Sequence, residues 1–169
     1  YGYLRTRAGM RYPELFDDDP FVASINIAKW HVWLDCLSDL AVHAGSRIAQ
    51  QAPRDLPRVA QMMIALVDGV LSQTGTPAEA GAEFATHMQR VRNRVARTDW
   101  LVIGKDEAAF TESPAGLVRW APVMDELKEL DEEIVRNSIR FRWQEVRREF
   151  ARHLDSRKLL GAMPDPAGR

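Results

Sequence analysis

The sequence predicts an all-α protein, an irregular helical bundle of about four main helices ending in one long C-terminal helix. Three observations carry this expectation. Apolar residues recur at helical spacing along most of the chain, helix start and stop residues bracket those stretches, and no apolar–polar alternation runs far enough to build a sheet. At 169 residues and 46% hydrophobic, the chain has the length of one domain and the apolar content for one core.

The first helix opens in FDDDPF, where Asp19 is a candidate N-cap and Pro20 takes the first helical position, at which its missing N–H costs nothing. It should run to about Ala44, with Gly45 as a stop or a weak point before SRIAQQA and Pro53. A second starts near Asp55, carries Val59, Met63, Leu66, Val67 and Val70, and ends at Gly75. A third opens on Thr76-Pro77-Ala78-Glu79, a capping box with Pro at N1, and reaches about Arg97 on a stripe of Phe84, Met88, Val91 and Val95. Residues 98–121 hold only short pieces, with Ser113-Pro114 as a further start signal. One long helical pattern then covers about Pro122 to Leu154. The expected organisation is a single helical domain over residues 1–155, with an irregular arm at 1–19 and a disordered Pro- and Gly-rich tail at 156–169.

Net charge is −1, so no whole-protein field draws nucleic acid or an anionic membrane. Cys36 is the sole cysteine, which excludes an internal disulfide and a cysteine-built zinc site and fits a reducing compartment. Only four of the 23 basic residues are Lys (Lys29, Lys105, Lys128, Lys158), a bias that, with abundant Ala, fits a GC-rich bacterial genome. No apolar run reaches the roughly 18–20 residues of a membrane span, because FVASINIAKWHVWL is interrupted by Asn26, Lys29 and His31. Tyr1 and Tyr3 beside Arg5, Arg7 and Arg11 have the composition of the cytoplasmic end of a membrane anchor. The expected location is therefore cytoplasmic, with tethering at the inner membrane only through a segment upstream of Tyr1.

All four histidines stand four residues from a carboxylate: His31 with Asp35, His43 with Asp39, His87 with Glu83, and His153 with Glu149. In HVWLDCLSDLAVH the ladder His31, Asp35, Asp39, His43 climbs one side of a helix, and two such sides facing each other could hold a metal. No E-x-x-H or H-E-x-x-H occurs. At about 100° per residue, Asp35, Asp39 and His43 fall near 40°, 80° and 120° from His31, while Trp30, Trp33, Leu34, Leu37 and Ala44 lie opposite. The ladder also spans about 18 Å, too long for one mononuclear site. It therefore reads as the solvated face of an amphipathic helix, with Trp30, Trp33, Leu37 and Ala44 buried. Glu79, Glu83, His87, Arg90, Arg94 and Arg97 likewise read as a solvated, acid-first stripe.

The DCLSD piece resembles the D-x-x-x-D magnesium motif of squalene and phytoene synthases, which carry two such motifs in a much longer chain. The other catalytic templates are absent: no G-x-G-x-x-G, P-loop or G-x-S-x-G occurs. Cys36 sits mid-helix beside apolar residues, the usual place of an inert thiol.

The long helix is acidic in front (Asp125, Glu126, Glu129, Asp131, Glu132, Glu133) and basic behind (Arg136, Arg140, Arg142, Arg147, Arg148, Arg152), an order that complements the helix dipole. Val123, Leu127, Leu130, Ile134 and Phe141 share one side, with Asn137 in the missing heptad position. Val135, Ile139, Trp143, Val146, Phe150 and Leu154 form a second stripe turned by about 140–180°. Either the helix breaks near Asn137-Ser138, or it stays straight, the first half packing on its own domain and the second on a partner.

These features point to a non-catalytic protein-interaction or assembly module that uses no cofactor. Its expected surface is Val135, Ile139, Trp143, Val146, Phe150 and Leu154, facing a protein partner or a second copy. Two other classes compete. One is a helical metal-dependent enzyme using His31, Asp35, Asp39 and His43. The other is an Arg-mediated nucleic-acid binder based on RVRNRVAR and RFRWQEVRR, disfavoured because an equal acidic block accompanies the arginines.

Overall fold

The computed structural model describes residues 1–103 and 107–162. They form seven α-helices: α1 (Gly2–Ala8), α2 (Asp19–Gln51), α3 (Leu56–Thr74), α4 (Phe84–Arg97), α5 (Glu112–Trp120), α6 (Asp125–His153) and α7 (Ser156–Gly161), with short 3-10 turns between several of them. No strand occurs among the described residues. The all-α class is as the periodicity requires.

Helix α2 is the axis of the molecule. It packs against α3, α4 and α5, and α5 in turn carries α6. Asp18, in an extended conformation, precedes the first turn, and Asp19 and Pro20 occupy its opening positions. The helix does not stop at Gly45. That glycine lies inside it because the Trp100 ring presses on the backbone there: a Cβ would sit 2.3 Å from the ring. The residue that looks like a terminator is a groove for an aromatic side chain.

Helix α3 buries Val59, Met63, Val67 and Leu71 at intervals of four, and a positive-φ Gly75 ends it, matching the expected boundaries. Helix α4 starts later than expected. Thr76-Pro77 forms no cap, a 3-10 turn occupies 78–80, and a positive-φ Gly81 precedes the first α-turn. Its stripe of Phe84, Met88, Val91 and Val95 is buried as expected. The main core joins these side chains to Leu34, Ile48 and Trp100. Removing such surface from water at about 25 cal/mol per Å² is what holds α3 and α4 on α2.

Both ends are more ordered than their composition suggests. Within the arm, α1 buries Leu4, and Arg7 makes a bidentate ion pair with Asp131 of α6. The expected tail instead begins as α7, where the Asp155 side chain accepts from the Lys158 backbone N–H at 3.0 Å. Its Leu160 enters the main core, and Ser156 donates to Gln51 at 2.7 Å. Residues 163–169 of that expectation lie outside the described residues.

Helix α6 passes through Asn137-Ser138 without interruption, Ser138 bonding its hydroxyl back to the Val135 carbonyl at 2.7 Å. Of the two alternatives, a break near Asn137-Ser138 or a continuous helix, the second holds. No helix among the described residues is long and apolar enough to cross a membrane.

Candidate functional site

Two regions invert what the helical wheel suggests. The first is the α2 ladder. His31, Asp35, Asp39 and His43 are all buried, together with Ser38 and Ser46, whereas Trp30, Trp33, Leu37 and Ala44 are only partly covered. Burial of that polar arc is possible because other helices bring partners to it. An unpaired buried carboxylate would cost several kcal/mol, so each charge must be met.

Asp39 is met most completely. Its Oδ1 accepts from Arg94 Nη1 at 2.6 Å and from the Glu112 N–H at 3.1 Å; its Oδ2 accepts from the Ser113 N–H at 2.8 Å and hydroxyl at 2.6 Å. The two amides are the first of α5, whose own neighbour Thr111 offers no side-chain cap. A carboxylate on α2 thus caps a helix far along the chain, where the helix dipole also favours negative charge. Arg94 spreads its remaining donors over Ser38 Oγ, the Ala109 carbonyl and Thr111 Oγ1. Trp143 of α6 then donates to Ser113 Oγ at 2.8 Å, leaving that hydroxyl's proton for Asp39. One network therefore ties α2, α4, α5 and α6 together.

Asp35 belongs to a second group. It accepts from His87 Nε2 at 2.8 Å, and His87 Nδ1 lies 2.7 Å from His31 Nδ1. The carboxylate fixes a proton on His87 Nε2, and of the two facing Nδ1 atoms one donates and the other accepts. The buried His31 ring stacks on Trp120 with centroids 3.7 Å apart. Burial, and then the neighbouring His87, hold His31 below the usual imidazole range. Gly116 of α5 is compelled by this cluster: a Cβ there would lie 1.8 Å from Asp35 Oδ2.

His43 stands apart from both. Its ring lies against Phe110 at 5.1 Å and Phe150 at 5.6 Å, and its Nε2 is unpartnered. Burial first, then Arg47 and Arg147, depress its pKa to about 4, so it is neutral at neutral pH. Burial, then Asp39 and Asp35, push the Cys36 thiol up to about 12, so it stays protonated at neutral pH.

The ladder is therefore divided among separate tasks. The i,i+4 pairings expected for His31, His43 and His87 are replaced by contacts between helices, and only exposed His153 stays near its Glu149, at 3.6 Å. Among the described residues, no group of three His, Cys, Asp or Glu side chains is arranged to hold a metal ion. Asp39, the second aspartate of the D-x-x-x-D resemblance, already has its carboxylate filled by protein donors.

The second inversion is on α6. The stripe expected to meet a partner is largely used within the chain: Val135 and Trp143 are buried, Ile139 packs with Phe110 and Trp143, and Leu154 packs on the main core. Phe150 meets His43, and only Val146 stays exposed. Most of the side expected to be internal faces outward: Leu130 is 75% exposed, Ile134 72% and Phe141 68%, while Val123 and Leu127 are half-buried. Helix α5 settles which side is inner, because Ser113 supplies the acceptor that Trp143 needs. No protein-family model, curated protein or solved structure matches this chain.

Proposed function

We propose that the protein is a non-catalytic helical interaction or assembly module whose docking surface is the outward side of α6. The observation that carries this reading is the seam Leu130, Ile134 and Phe141. It consists of three large apolar side chains at spacings of four and seven on one uninterrupted helix, each at least two-thirds exposed. Scattered exposed apolar residues are ordinary; a row at heptad spacing on a long helix is what a partner helix packs into. The interior supports the same reading from the other side. The two buried carboxylates of α2 are spent on holding helices together, with Asp39 saturated and Cys36 kept as a thiol.

The test compares the chain with a Leu130→Ser/Ile134→Ser/Phe141→Ser variant. Hydrodynamic mass and the proteins recovered with a tagged chain from lysate of its source cells are measured for both. The expected result is an association made by the parent and lost by the variant, with unchanged circular dichroism. Identical mass and identical co-purifying proteins for the two would overturn the reading.

A further inference from the structure

We infer that the occupant of the α6 seam is a second copy of this chain, with the two α6 helices packed antiparallel. This deepens the reading above and rests on it. The argument is one of register and charge.

Written as heptads, α6 places Leu127, Ile134 and Phe141 at one seam position and Leu130, Asn137 and Gln144 at the other. In an antiparallel pair centred between residues 135 and 136, Leu130 of each copy faces Phe141 of the other, and Ile134 faces Asn137. The largest exposed side chains are thereby matched across the axis. The central polar residue packs beside the axis, where an asparagine fixes register. That is the only antiparallel alignment that places Leu130 and Phe141 opposite each other.

Charge selects the same orientation. In this register Glu133 of one copy flanks Arg140 of the other, and the symmetry makes two such pairs. More broadly, the acidic front half of each helix lies along the basic back half of its mate, and the two helix dipoles oppose. A parallel pair is poorer. It would set Glu126 against Asp131, acid against acid, and leave Glu133 facing Ser138, with only Arg140 beside Glu145 in its favour. Glu133 is exposed and Arg140 half-exposed on the outer flank, so neither holds the interior together.

The experiment uses the whole chain in sedimentation equilibrium over a wide protein concentration range, with charge-swap and cross-linking arms. Expected are a monomer–dimer equilibrium and a monomeric Phe141→Asp variant whose Tm equals that of the parent at concentrations where the parent is monomeric. Glu133→Arg or Arg140→Glu alone should weaken the dimer by about tenfold. The double variant Glu133→Arg/Arg140→Glu should recover it, because the swapped pair re-forms only between antiparallel copies. In a Cys36→Ser background, Leu130→Cys protein should form disulfides with Phe141→Cys protein and not with itself.

Self-cross-linking of Leu130→Cys, or a double swap weaker than either single, overturns the antiparallel assignment. A parent that stays monomeric at the highest concentration overturns the second copy altogether. That last result leaves the interaction-module reading to its own comparison, so the two can fail separately.

Discussion

The α2 ladder and the α6 seam are opposite solutions to the same problem. Each is a row of three or four side chains along one face of a long helix. In α2 the row is polar and lies inside; in α6 the row is apolar and lies outside. The difference is one of partners. Every carboxylate of the ladder meets a donor brought by α4 or α5, so its desolvation is offset, whereas the seam side chains stay more than two-thirds exposed. Polarity alone does not place a residue. What places it is whether another element supplies its complement.

Removing the complement is the strongest way to break the comparison. Asp39→Ala strips Arg94 of its counter-ion and α5 of its cap, and should cost about 3–5 kcal/mol in urea unfolding. A loss below about 1 kcal/mol would show that the network is decoration on a core already sufficient.

Acid should act on the same interior with nearly equal force. His43 is depressed in the fold from 6.5 to about 4, so stability is complete above pH 6.5. Below that the unfolded chain takes up a proton that the fold refuses, and stability falls until about pH 4, by on the order of 3 kcal/mol. His31 is lowered too and adds to the loss in the same direction. Thermal melts of parent and His43→Leu between pH 7 and pH 4 check this through their slopes; equal slopes would remove His43 as the cause.

A smaller effect should follow from bulk placed between the ladder and α5. Gly116→Ala drives a methyl into the Asp35 carboxylate and should cost roughly 1–3 kcal/mol, although alanine is the better helix former. A stabilised variant would show that α5 sits farther from α2 than described. The smallest effect belongs to the seam. Phe141→Ser should change monomer stability by no more than about 0.5 kcal/mol, since the ring is 68% exposed. A loss of several kcal/mol would mean that Phe141 is covered within its own chain and that the contrast between the two rows is false.

The helices themselves were legible. Asp55 and Gly75 bracket α3, and the stripe of α4 was read residue for residue, because local periodicity and stop residues are local facts. Which way a helix faces is not local. The ladder was assigned to solvent because a wheel assumes that the polar arc is wet, and nothing near residue 39 announces Arg94 or Ser113. One signal was available. Between His31 and Ser46 the arc contains His31, Asp35, Ser38, Asp39, His43 and Ser46 and no Lys, Glu or Gln, the long side chains that populate a wet face. On α6 both stripes were seen and their roles exchanged. Trp143 was the clue, an indole that must be covered and also needs an acceptor, which an interior hydroxyl can supply.

The Asp39 cap also has a consequence for how the chain folds. Helix α5 spans nine residues, too short to be stable alone, and its first amides are satisfied by a residue 73 positions earlier. The loop between them must close, and α2 and α4 must meet, before α5 gains its start. Its formation is therefore a late step, and by the same dependence α5 can be lost while the helices that carry Asp39 and Arg94 stay together. The Glu112 and Ser113 amide protons should then exchange with solvent faster than the core amides of α2, two local reporters of the last step to form.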